Sequence, residues 1–207
     1  MYSRLTQIKS EPARVDELVE QMKAEMLPVF QQQPGYLGTI SSADRETGRG
    51  AVATYWDSME NLRASEAAIF AARDKFSATH GSETVSFHRC EIPVQESKVD
   101  PYAGQFARVT VLAGGDPATI DAGITRFRDE VAPLALSQPG CEAAVLMVDR
   151  ENNVGFAITA WDTAEHREAS EAALAPKRAE AAATSGGQAQ TMHSQTTYAD
   201  LKVPAKR

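Results

Sequence analysis

The chain has 207 residues, 43 % of them hydrophobic and 24 % charged; this suits one large or two small folded domains and excludes a wholly disordered polypeptide. Its 21 Lys and Arg stand against 28 Asp and Glu, and the net charge of -7 divides into -4 over residues 1–100 and -3 over 101–207. Neither half is basic, so nucleic acid is not an expected partner. No apolar stretch approaches the roughly 18–20 residues that span a bilayer, so membrane is not expected either. The N-terminus lacks the basic and then apolar order of a secretory signal. Two isolated cysteines, Cys90 and Cys141, suit a reducing interior, and the expected location is cytoplasmic.

In chain order, a strand is expected over 2–8. A helix follows, with Pro12 in its first turn and Ser10 or Glu11 as cap. Val15, Leu18, Val19, Met22 and Met26 give it one apolar face, and Pro28 ends or kinks it. Pro34-Gly35 is a turn. Strands over 36–43 and 51–56, joined by the 44–50 turn, read as a hairpin. Asp57 or Ser58 then caps a second helix that runs to Thr79, and Gly81 terminates it. A last strand covers 83–93.

The same order recurs 105 residues later. Pro34-Gly35 matches Pro139-Gly140, Asp44-Arg45-Glu46 matches Asp149-Arg150-Glu151, and Trp56-Asp57 matches Trp161-Asp162. The run from Ala64 to Ala68 matches that from Ala169 to Ala173. From Pro12 and Pro117 to His88 and His193 the copies align without a gap, with about 26 identities in about 77 positions. That is a duplicated domain. The first strands align at 104 instead, which puts one extra residue in the Gly114-Gly115 turn. In the second copy Ile120, Ile124, Phe127 and Val131 carry the apolar face, and Pro176 is expected to kink the second helix. The domains are expected at 1–95 and 103–201, with a linker at 96–102.

Two β-α-β-β-α-β units imply an α+β, ferredoxin-like fold with both helices on one face of each antiparallel sheet. The bare sheet faces would be apolar. The two tandem units are therefore expected to pack sheet to sheet as an intramolecular pseudo-dimeric α/β barrel. The expected species is a monomer that holds the pseudo-dimer in one chain, open to further self-association.

Each copy thus reads helix, Pro-Gly, strand, Asp-Arg-Glu turn, strand ending in Trp-Asp-Ser/Thr, and a helix with Ala-Ser-Glu-Ala-Ala. This resembles the antibiotic biosynthesis monooxygenase (ABM) domain of the dimeric α/β-barrel superfamily, over nearly the whole chain. The resemblance implies a cofactor-independent monooxygenase acting on a small aromatic or polyketide-like substrate. No cofactor and no metal are then expected. The haem-degrading relatives place a His about ten residues after the Trp, where this chain has Glu66 and Glu171. Fold alone does not decide activity, and a non-enzymatic small-molecule-binding or stress-response protein is the alternative. A purely structural domain is a third reading.

Trp56 and Trp161 either wall a ligand cavity or anchor the corner between strand and helix. Tyr36 and Tyr55 are further candidate substrate contacts. His88 and His193 hold matched places on the last strands, where they are either proton handlers or satisfied sheet-face residues. Arg4 and Arg108, matched on the first strands, either stabilise an anion or lie exposed at the strand end. His80 and His166 are expected to face solvent. No ligand spacing of a zinc site, GxSxG, GxGxxG or Walker loop is present. The copies also differ: Tyr36, Tyr55, Phe70 and Phe76 become Cys141, Ala160, Ala175 and Ala181. The second copy is therefore expected to hold the roomier cavity.

Overall fold

In the computed structural model, the described residues are 1–99 and 105–201. The first repeat opens with β1 (Tyr2–Lys9) and a short 3-10 turn that begins at Pro12. It continues with α1 (Val15–Gln21), a π-helical segment (Met22–Met26) and α2 (Leu27–Gln31). The hairpin is β2 (Tyr36–Ala43) and β3 (Arg49–Trp56). It is followed by α3 (Met59–Ala64), α4 (Glu66–His80) and β4 (Glu83–Ser97). The second repeat has β5 (Phe106–Ala113), α5 (Ile120–Arg126), a π segment (Phe127–Val131) and α6 (Ala132–Ser137). It ends with β6 (Cys141–Asp149), β7 (Val154–Trp161), α7 (Ala164–Ala169), α8 (Glu171–Ser185) and β8 (Gln188–Ala199). The class is α+β, with the ferredoxin-like order in each repeat.

The chain divides into two compact units: Met1–Arg89 with the segment from Gln195, and Cys90–Ser194. Within the first, the strands lie in the order β4-β1-β3-β2-β8; within the second, β8-β5-β7-β6-β4. Each repeat thus lends the end of its last strand to the other repeat's sheet. Ile40 pairs with Ala199 in the first sheet, and Gln95 with Val145 in the second. The last strand of the first repeat does not stop at Pro93. It continues to Ser97, and the register slips between Glu91 and Val94, where a residue without an N–H can be accommodated. Residues 100–102 of the expected linker lie outside the described residues. The extra residue of the second copy falls after β5, where Gly114 has φ +74° and open space around it.

The prolines Pro28 and Pro133 do not kink a continuous α-helix. Each is preceded by a π turn at the matched position. Leu27 N–H donates to the Met22 carbonyl and Ala132 N–H to that of Phe127. The wider turn starts a fresh helix with Pro in its first turn, where the missing N–H costs little. Pro176, by contrast, sits inside α8, which remains helical through it.

The second long helix of each copy is two helices, broken at Ser65 and at Ser170. The caps are Ser58, which accepts from Asn61 N–H, and Thr163, which accepts from His166 N–H. The carboxylates of Asp57 and Asp162 instead bond the side chains of Asn61 and His166. Among the described residues, no helix is long and apolar enough to cross a membrane.

Candidate functional site

The break at Ser65 is built by an arginine. In an unbroken helix the Leu62 carbonyl would accept from the N–H four residues on. Here it accepts from the Ser65 hydroxyl at 2.7 Å and from Arg4 Nη2 at 2.5 Å. Arg4 Nη2 also donates to Ser65 Oγ at 2.9 Å, and Arg4 Cζ lies 5.4 Å from the Trp56 ring centroid. Trp56 is 0 % exposed and donates from Nε1 to Thr54 Oγ1 at 3.0 Å. The second repeat reproduces the arrangement. Arg108 donates to Ser170 Oγ and to the Arg167 carbonyl. It lies 5.9 Å from the Trp161 ring centroid, and Trp161 Nε1 donates to Thr159 Oγ1.

This overturns the exposed placement for the two arginines: each is 2 % exposed. Burial lowers Arg4 from its ordinary value to about 10, with Arg89 and Arg73 adding to the effect against Glu66, so it stays cationic at neutral pH. The repeated Arg, Ser and Trp therefore pin the end of the third strand to the helix break.

Each unit also holds a cavity between its helices and its sheet. The cavity of the first unit is about 90 Å³ and is bordered by Arg4, Leu18, Met22, Val52, Arg73 and Phe76. That of the second unit is about 170 Å³, with Thr110, Gly123, Phe127, Ala157, Arg178 and Ala181 on its wall. At the matched positions, Leu18 becomes Gly123, Val52 becomes Ala157 and Phe76 becomes Ala181. The lost side-chain volume lies where the second cavity is wider. Of the aromatic differences expected to matter, Phe76 and Ala181 border these two cavities, and Tyr36, Tyr55 and Phe70 border neither. Gly123 and Ala157 were missed, although the aligned copies display both substitutions.

Of the remaining expected site residues, Trp56, Trp161, His88 and His193 border neither of these two cavities. Tyr36 Oη shares a hydrogen bond with Thr39 Oγ1 at 2.7 Å and donates to Asp200 Oδ1 at 3.3 Å. Burial, with the Asp200 charge, pushes that phenol up and keeps it neutral. Its ring meets Trp56 edge-on at 5.9 Å, and Tyr55 is core. His193 is exposed, with Nδ1 3.5 Å from Glu168 Oε1. Partial burial, then the Arg167 charge, holds it below its ordinary value. His88 is half-buried on β4. His80 does not face solvent freely: its ring packs at a tilt against Phe76, with centroids 4.6 Å apart, and Nε2 lies 2.9 Å from Glu25 Oε1. Cys90 and Cys141 are free and buried, and burial pushes the Cys141 thiol up to about 12. Among the described residues, no three His, Cys, Asp or Glu gather as a metal-binding set.

No family model matches the chain. It is 36 % identical over 149 residues to the uncharacterized protein Rv2558 of Mycobacterium tuberculosis (strain ATCC 25618 / H37Rv), which spans 72 % of this chain and 62 % of that one. It is 24 % identical over 164 residues to Rv2557 of the same strain, covering 79 % of this chain and 72 % of that one. Among solved structures, it superposes on an anthrone oxidase-like protein with a TM-score of 0.72 and 16 % identity, over 97 % of this chain and 93 % of the other. It also superposes on a ferredoxin-fold protein from Listeria monocytogenes related to antibiotic biosynthesis monooxygenases, with a TM-score of 0.56, 6 % identity and 95 % of each chain covered. The chain therefore shares the ferredoxin-like fold of these ABM-related structures.

Proposed function

We propose that the chain is an ABM-type monooxygenase, independent of a cofactor, and that the helix–sheet cavity of the second unit holds its substrate. The observation that carries this reading is that cavity, about 170 Å³ and widened by Gly123, Ala157 and Ala181. A dry engineered cavity of about 150 Å³ accepts benzene, so this one suits a single aromatic ring. The substrate class is a small electron-rich hydroxyaryl compound with an oxidisable methylene. The likeness to an anthrone oxidase-like protein supports the same class.

In that reaction the deprotonated substrate supplies electrons to dioxygen. The methylene carbon loses two hydrogens and gains one oxygen as a carbonyl. The second oxygen leaves with those hydrogens as water, so no further reductant is required. The protein's part is to hold the ring, exclude water and favour the anion. Arg126, Lys177 and Arg178 border the cavity, where their N–H groups can donate to a phenolate, although each also pairs with a carboxylate of Glu180, Glu130 or Glu171. The expected roles of Trp56, Trp161, Tyr36 and Tyr55 as cavity contacts and of His88 and His193 as proton handlers are not part of this reading, because none borders either of these two cavities. Arg4 and Arg108 hold the helix break.

An oxygen electrode with a panel of one-, two- and three-ring hydroxyaryl compounds tests the proposal without added reductant. Saturable uptake is expected, best with the smaller rings. Saturable binding with no uptake on any compound would favour the alternative of a non-enzymatic binding protein and reject the monooxygenase reading.

A further inference from the structure

The first unit differs from the second in the charge at its cavity. Arg4 borders it and is 2 % exposed, yet its Nε and Nη1 find no hydrogen-bond partner in the protein. Only Nη2 serves the helix break. Arg73, reaching in from α4, also borders the cavity, and its buried Nη1 has no partner either. Both guanidiniums lie against the Phe70 ring, with its centroid 5.5 Å from Arg4 Cζ and 4.5 Å from Arg73 Cζ.

The carboxylate that could neutralise Arg4 is engaged elsewhere. Arg89 grips Glu66 through Nε at 2.5 Å and Nη2 at 2.9 Å, and this holds the Glu66 carboxyl below its ordinary value. Arg4 Nη2 is left 3.9 Å from Glu66. Asp74 takes Nε and Nη2 of Arg73. In the second repeat, Ser194 stands where the first has Arg89, and Glu171 comes within 3.1 Å of Arg108 and also binds Arg178, the match of Arg73. There Arg108 does not border the cavity.

Buried guanidinium N–H groups without acceptors are costly, and native structures supply them with a partner. Forked N–H donors from two guanidiniums match a carboxylate best. Leu18, Met22, Met26 and Phe76 make the rest of the cavity apolar. Its volume of about 90 Å³ is close to that of about three waters. We propose that this cavity is a binding site for a short aliphatic carboxylate, with the head group on Arg4 Nε and Nη1 and Arg73 Nη1 and the tail among Leu18, Met22 and Phe76. The site is separate from the proposed substrate cavity and does not depend on that reading.

Isothermal titration of the whole chain with sodium acetate, whose four heavy atoms suit this volume, tests it, with sodium chloride and ethanol as controls. Acetate is expected to bind saturably, and neither control should. Arg73→Met is expected to weaken acetate at least about tenfold while the far-UV circular dichroism is unchanged. Arg4 also holds the helix break, so Arg73 is the cleaner position to change. An acetate signal no larger than that of chloride, equal binding by ethanol, or Arg73→Met binding as tightly as the parent would overturn the proposal. So would a crystal structure at saturating acetate with waters alone in the cavity.

Discussion

Trp161→Ala is expected to destabilise the protein by about 3–5 kcal/mol, one of the largest costs of any single substitution here. The indole is 0 % exposed and packs with Ala135, Cys141 and Leu174. Truncation removes that contact and the ring beside Arg108, and it leaves Thr159 Oγ1 without its donor. A urea titration followed by circular dichroism reads the loss. A cavity-wall role predicts the opposite balance: nearly unchanged stability and a large change in ligand affinity. Trp56→Ala is expected to behave in the same way, because Trp56 sits among Leu18, Met26, Phe30 and Leu62 and beside Arg4.

Gly123→Leu is expected to cut ligand affinity and oxygen uptake by at least about 100-fold while the protein stays folded. It restores at this position the leucine that the first repeat carries as Leu18. A Cβ at Gly123 meets nothing within 4 Å, so the new side chain enters the cavity without backbone strain. Replacing glycine inside α5 also removes a residue that favours the unfolded chain, so stability is expected to hold or rise. Ala181→Phe restores Phe76 at the opposite wall and is expected to have the same effect on uptake. Titration calorimetry and the oxygen electrode, run on both variants, measure the two effects separately. Undiminished uptake in either variant would place the reaction elsewhere.

The repeat makes most of the fold readable from the sequence. Paired positions such as Trp56 and Trp161, or Gly81 and Gly186, mark strand and helix ends twice over, and the structure places both pairs at those ends. Three features were not legible, two of them because they depend on a distant partner. The helix break at Ser65 needs the Arg4 guanidinium, 61 residues away in sequence. The extension of β4 past Pro93 needs β6 to pair with. The π turns need the proline and the preceding helix to be settled together.

The site was less legible than the fold, for a related reason. Residue type alone favours large chemical groups, and so Trp, His and Tyr drew the functional reading. The cavities are decided instead by where side chains are missing. Gly123 and Ala157 carry no chemistry, and their meaning appears only against Leu18 and Val52. Arg4 was found by its matched position, but its burial and its unpartnered N–H groups depend on Trp56, Ser65 and Phe70, which lie far off in sequence.

A crystal structure of the protein soaked with phenol tests most directly whether the second unit's cavity holds an aromatic ring. Ring density is expected between α5, α8 and the sheet, in contact with Gly123 and Ala181. Ordered phenol at another site, with this cavity filled only by water, would contradict it.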